Sequence, residues 1–243
     1  MLDRRLLKDN AKSALPRYYL WAFIVCLIIT VLTGNQEYNM GRWNLWDTMS
    51  DFWHQVTSVS FSFSDLVGFV FGNIFNFLGF LFTLIVTIIA IVIGNVVVVG
   101  AHRFFIESRN TGQSAGLMTL LSGFTDGNYV NIVITMFLRK LYTFLWSLLF
   151  VVPGIIKHYE YSMIPYLLAE NPTMDYSTAF RISRQMMEGQ KWEAFVLDIS
   201  FWLWYIVGSL LFWGIGTLFV NPYYQATWTE YYIMLKETRH IHY

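Results

Sequence analysis

Polar and apolar positions divide the chain into long apolar runs, each preceded by a short segment with helical periodicity. Leu7, Ala11, Ala14 and Leu15 recur on one helical face with Lys8 and Lys12 opposite, the pattern of a helix lying on a membrane surface. The first apolar run follows, Tyr18 to Thr33. Its exit, "VLTGNQ", has no small-residue cleavage pattern, so a retained first span is expected rather than a secretion signal. Leu66 to Gly100 contains no Lys, Arg, Asp or Glu. As one helix it would be roughly 50 Å long against a hydrocarbon core of about 30 Å. Gly68, Gly72, Asn73, Asn76 and Gly79 crowd its first half, so part of the run is expected to lie along the surface or turn, with the span proper near Gly79 to Gly100. The Gly68-to-Gly72 spacing also matches a close-packing pattern.

Val130 to Ile156 and Ala194 to Val220 read either as two long helices or as two hairpins turning at Pro153-Gly154 and Gly214-Ile215-Gly216. With six spans, twelve of the sixteen Lys and Arg lie in cytoplasmic segments, Arg42 lies outside and three fall within apolar runs. The excess of positive charge on the cytoplasmic side therefore favours six. An internal repeat favours the same choice. "NAKSALPRYYLWAFIV", "LMTLLSGFTDGNYVNIVI" and "FRISRQMMEGQKWEAFVL" each pass from an amphipathic helix through a Gly or Pro turn to an aromatic and a span. Glu107, Glu170 and Glu237 close the three units, and Gly127 precedes Gly189 by 62 residues. The fold expected is all-α: a polytopic membrane helical bundle of about six transmembrane helices, built as three amphipathic-helix-plus-hairpin repeats. It forms a single domain over 1–243, with units at 1–107, 113–170 and 174–237. An outer loop, 34–65, is inserted in the first, and both termini are cytoplasmic.

Within this plan Leu117, Met118, Leu121 and Phe124 form one amphipathic face. Tyr176, Ala179, Phe180, Ser183 and Met187 form another, with Arg181, Arg184 and Glu188 opposite. In the outer loop Trp43, Trp46 and Trp53 accompany Glu37, Asp47, Asp51 and Asp65, as tryptophans do at a headgroup boundary.

Composition sharpens the class. Of the residues 56% are hydrophobic and 13% charged, the balance of a chain that uses lipid as part of its solvent. Formal net charge is zero, which gives no reason to expect nucleic acid as a partner. The single cysteine, Cys26, excludes an intrachain disulfide.

Charge inside the apolar runs is the candidate chemistry. "VVPGIIKHYEYSMIPYLLAENP" carries Lys157, His158 and Glu160. Counted from Glu170, Glu160 would lie roughly 15 Å deep, level with Arg139 on the preceding helix. Charges at that depth pair or line a wet cavity, so Glu160 is expected to pair with Arg139 or Lys157, with Lys140 and His158 pointing elsewhere. Asp198, Asn221, Gln225 and Glu230 add polar groups to the last two runs. Together, Arg139, Lys140, Lys157, Glu160, Asp198, Asn221, Gln225 and Glu230 read either as a network that sets helix register or as a binding site. In the second reading Arg139, Lys140 and Lys157 take the headgroup of an anionic membrane lipid, or a small anion.

Three of these blocks carry a family resemblance. "VVPGIIKHYEYSMIPYLLAENP", "RQMMEGQKWEAFVLDISF" and "GIGTLFVNPYYQATWTEYY", with "LKDNAKSAL" near the start, resemble a bacterial family of multi-spanning membrane proteins, the domain of unknown function 975 family. The repeated unit is more faintly similar to the membrane domain of bacterial glycerophosphodiester phosphodiesterases, although no matching hydrolase domain is present. The resemblance implies a multi-pass protein of the bacterial cytoplasmic membrane and carries over no catalytic residue.

No Gly-rich phosphate loop with Lys, HExxH, GxSxG or Cys-His metal spacing occurs, and "HIHY" reads as a tail. The expectation is a non-enzyme without cofactor or metal that binds or transports lipid or a small anion through its intramembrane polar cluster. The alternative is a scaffold or accessory membrane protein meeting a protein partner through its cytoplasmic amphipathic helices.

Overall fold

The computed structural model describes residues 4–33, 74–125, 127–211 and 216–241. The outer loop with Trp43, Trp46 and Trp53, the Gly68-to-Gly72 motif, the Gly214-Ile215 turn and the last two residues of "HIHY" lie outside the described residues. Among those described, the secondary structure is entirely helical.

Helix α1, Arg4–Ala14, buries Leu7 and Ala11 as its periodicity expects. A short 3-10 turn, Leu15–Arg17, follows with Pro16 in its first turn. Proline has no N–H to continue the helical ladder, and the chain bends by 99° into α2, Tyr19–Thr33. Lys8 Nζ donates to Ser200 Oγ at 2.7 Å, and Arg4 pairs with Glu193 at 3.3 Å.

Helix α3 runs unbroken over Ile74–Thr111, 38 residues or roughly 57 Å. From Ile74 onward the run does not turn, so of the two expected arrangements a turn is not seen among the described residues. No proline interrupts this stretch, and a lone glycine such as Gly79 weakens a helix by only about 1 kcal/mol. The chain forms two compact units, Trp43–Ile93 and the rest, and α3 begins in one and ends in the other. In the larger unit α3 comes close to a 3-10 turn at Leu117–Leu121: a Cβ on Gly100 would lie 2.2 Å from the Leu120 carbonyl oxygen. A single turn of helix, α4, Ser122–Thr125, precedes α5, Tyr129–Leu149.

The Pro153-Gly154 pair is not the turn of the second hairpin. The break falls at Phe150, whose backbone is extended, and α6, Val151–Glu160, has already begun when Pro153 is reached. A proline in the first helical turn forfeits only a hydrogen bond that turn does not make. Gly154 serves instead as the point of contact, since a Cβ there would lie 2.4 Å from Ser147 Oγ and 2.7 Å from its Cα. After Tyr161–Met163 the return continues as α7, Ile164–Glu170, with Pro165 in its first turn. Next come α8, Tyr176–Met187, then α9, Lys191–Leu211, and α10, Gly216–Thr238. Helices α9 and α10 run antiparallel: Trp228 Nε1 donates to Asp198 Oδ1 at 3.1 Å, and Tyr205 to Asn221 Oδ1 at 2.9 Å.

Two described helices, Leu81–Thr111 and Tyr129–Leu149, are long and apolar enough to cross a membrane, or up to three if the bent pair Arg4–Arg17 and Tyr19–Thr30 is one span. This is fewer than the six expected. The second return is split into pieces of 10 and 7 residues, each too short alone against about 20 for a span.

Candidate functional site: a cationic groove beside an amphipathic helix

The site begins with a helix break. Ile164 N–H bonds the Tyr161 carbonyl three residues back, and Pro165 has no N–H to give that carbonyl the usual bond from four residues on, so the ladder is interrupted. The Glu160 carbonyl, left outside the ladder, accepts from Ser183 Oγ of α8 at 2.7 Å. Helix α8 is started by Asp175, whose carboxylate accepts from Ser177 N–H at 3.1 Å. The Ser177 hydroxyl and the first backbone amides hold that carboxyl below the usual aspartate range. Ala179, Phe180, Ile182, Ser183, Met186 and Met187 form the buried face. Tyr176, expected on it, is exposed. Phe180 packs edge-on against Tyr142 of α5 and Tyr161, at 5.4 and 4.9 Å between ring centroids, and so seats α8 on both arms of the hairpin.

The polar face of α8, the end of α6 and the start of α9 enclose an open groove of about 1160 Å³. At its floor the Glu160 side chain is 8% exposed and meets three cations: Lys157 at 2.7 Å, Lys191 at 2.6 Å and Arg184 at 3.3 Å. Lys157 Nζ also lies 5.3 Å from the Trp146 ring centroid, and the Arg184 guanidinium 5.6 Å from that of Tyr161, within cation–π range. Arg181, Glu188 and Trp192 complete the lining that matters here, giving four cations against two carboxylates. Arg181 is exposed and makes no ion pair among the described residues.

Of the eight residues expected to form one cluster, Lys157 and Glu160 line this groove. Glu160 pairs with Lys157 as expected, whereas Arg139 is not among its partners. Lys140 Nζ donates to Asn95 Oδ1 of α3 at 3.0 Å. Asp198 is buried and accepts from Tyr159 at 2.6 Å as well as from Trp228. Asn221 and Gln225 are buried on α10, and Glu230 forms a two-pronged pair with Arg109, at 2.9 and 3.2 Å. Lys140, Asp198, Asn221 and Glu230 thus join different pairs of helices. Glu160 meets α8 and the first residue of α9, and the break at 161–163 separates it from Glu170, so the two do not lie on one straight helix.

Sequence reasoning missed Arg184 and Lys191 as partners of Glu160, and Arg109 as the partner of Glu230. Arg181, Arg184, Glu188 and Lys191 recur at helical spacing, which marks a polar face but not the carboxylate it turns toward.

Residues 148–239 match the family model described as "Protein of unknown function (DUF975)". The match takes in the end of α5 and all of α6 to α10, and so the whole Glu160 cluster. It bears out the resemblance read from the three blocks in this part of the chain. No curated protein and no solved structure matches the chain, so the fainter similarity to the phosphodiesterase membrane domain has no support.

Proposed function

We propose that this chain, whose residues 148–239 match the DUF975 family model, is a multi-pass protein of the bacterial cytoplasmic membrane that binds an anionic lipid headgroup or small anion in the groove beside α8. The observation that carries the reading is the convergence of Lys157, Arg184 and Lys191 on one carboxylate, Glu160, in an aromatic-walled groove. One carboxylate leaves positive charge over, and partly exposed Lys and Arg retain donors for phosphate oxygens. Basic pockets beside membrane helices are suited to such headgroups, and exposed Trp146, Trp192 and Tyr176 suit the boundary between headgroups and acyl chains.

Six spans remain the arrangement we favour. Helix α5 returns through α6 and α7, and α9 through α10. The Arg4–Glu193 pair puts α1 level with the start of α9, as a shared cytoplasmic side requires. Gly127 and Gly189, matched in the proposed repeat, both have φ of +72°, a conformation that glycine adopts without strain. The test is a titration of the purified protein with short-chain anionic and zwitterionic lipids, read by intrinsic tryptophan fluorescence, with Trp146→Phe and Trp192→Phe variants identifying the share that comes from the groove. The anionic lipid should perturb the signal saturably in wild type and not in an Arg184→Gln/Lys191→Gln variant. Equal responses in the two proteins would dismiss the groove as the site.

A further inference from the structure

We infer that the group accepted by the groove is a phosphate monoester, the dianionic headgroup of a phosphatidate-type lipid, in preference to the singly charged diester of common anionic phospholipids. This rests on the reading of the groove as an anion site. The argument is one of charge and unspent donors. Lys157 and Lys191 each give one hydrogen bond to Glu160, and Arg184 approaches the same carboxylate through Nε. Each Lys therefore keeps two N–H groups, and Arg184 keeps its terminal nitrogens. The four cations that line the groove face two carboxylates, Glu160 and Glu188, so the groove holds an excess of two positive charges. A monoester carries close to two negative charges at neutral pH and presents three acceptor oxygens. A diester carries one charge and presents two free oxygens, which leaves a cation uncompensated beside an aromatic wall.

The charged groups facing the ligand are Lys157 and Glu160 from α6, Arg181, Arg184 and Glu188 from α8, and Lys191 from α9. The preference should follow the second ionisation of the ester itself, near pH ~6.

The experiment uses the full chain in nanodiscs of zwitterionic lipid. Phosphatidate, phosphatidylglycerol or inorganic phosphate is added, and apparent affinity is read from thermal stabilisation. Phosphatidate is expected to bind about fivefold more tightly than phosphatidylglycerol at pH ~8, with the gap closing toward pH ~5. Arg181→Gln, which touches no ion pair, should melt like wild type yet bind phosphatidate more weakly. Equal affinity for the two lipids at every pH, with both lost in Arg184→Gln/Lys191→Gln, would overturn the monoester and leave the anion groove standing. Binding of neither lipid, or binding indifferent to the groove variants, would remove both. If inorganic phosphate displaces phosphatidate at matching concentration, the monoester chemistry holds but its source is free phosphate; failure to displace assigns it to the lipid.

Discussion

At Glu160 one carboxylate faces three cations, each of which keeps some access to solvent, with side-chain exposures of 23%, 33% and 53% for Lys157, Lys191 and Arg184. Solvent screens such pairs, so the network is worth less than a fully buried one. The neutral variant Glu160→Gln nevertheless leaves three cations facing one another. It should lower unfolding stability in detergent by roughly 1–3 kcal/mol, with partial recovery in Glu160→Gln/Lys191→Gln. A single variant as stable as wild type would show that the cations do not converge as described. Asp175 gives a pH-dependent counterpart. Its carboxyl is held below its ordinary value by Ser177, so its contribution to α8 is present above the unfolded value of about 3.9 and is lost as pH falls through the lowered folded value. The protection of amides at the start of α8, measured against their intrinsic exchange rates at each pH, should therefore fall in acid for wild type. In Asp175→Ala that protection should be low throughout.

Among the helices, two glycines decide how closely neighbours approach. A Cβ at Gly100 would sit within 2.2 Å of the Leu120 carbonyl oxygen, and one at Gly154 within 2.7 Å of the Ser147 Cα. Both obstacles are backbone, which a side-chain rotation cannot relieve. Gly154→Ala should therefore lower the melting temperature, and Ser147→Ala should fail to restore it; recovery in the double variant would mean that only the hydroxyl was in the way. The sequence signals and the elements part company here. "PG" reads as a turn, yet the extended backbone of Phe150 turns the chain three residues before Pro153. A proline just inside a helix start costs little, so whether "PG" turns the chain depends on where the packing of α5 against α6 puts that start. The periodicity of Ala179, Phe180, Ser183 and Met187 was legible because burying one face of a helix is a local, repeating demand. The break at 161–163 was legible only as Pro165.

For the whole molecule, the ties between remote segments set the expected topology. Arg4 to Glu193, Lys8 to Ser200 and Arg109 to Glu230 join parts of the chain that lie far apart in sequence. If α1 and α8 share one side of the membrane, single cysteines at Lys12 and Ser177 should react with a membrane-impermeant label from the same side. Native Cys26, which is fully buried, should stay silent. Labelling from opposite sides would rule out the six-span arrangement.

Composition and periodicity were enough for the all-helical class, the apolar runs and the amphipathic α1 and α8, because each follows from what a segment must bury with its own side chains. They also offered Lys157, three residues from Glu160 on one helix, as one of its two candidate partners, the other being Arg139. Packing alone brought Arg184 and Lys191 to that carboxylate, and sent Lys140 to Asn95, Asp198 to Tyr159 and Trp228, and Glu230 to Arg109. A charged residue in an apolar run announces that it needs a partner. Which partner it finds depends on helix breaks, crossing points and glycine contacts, and these are settled by the whole set of helices at once.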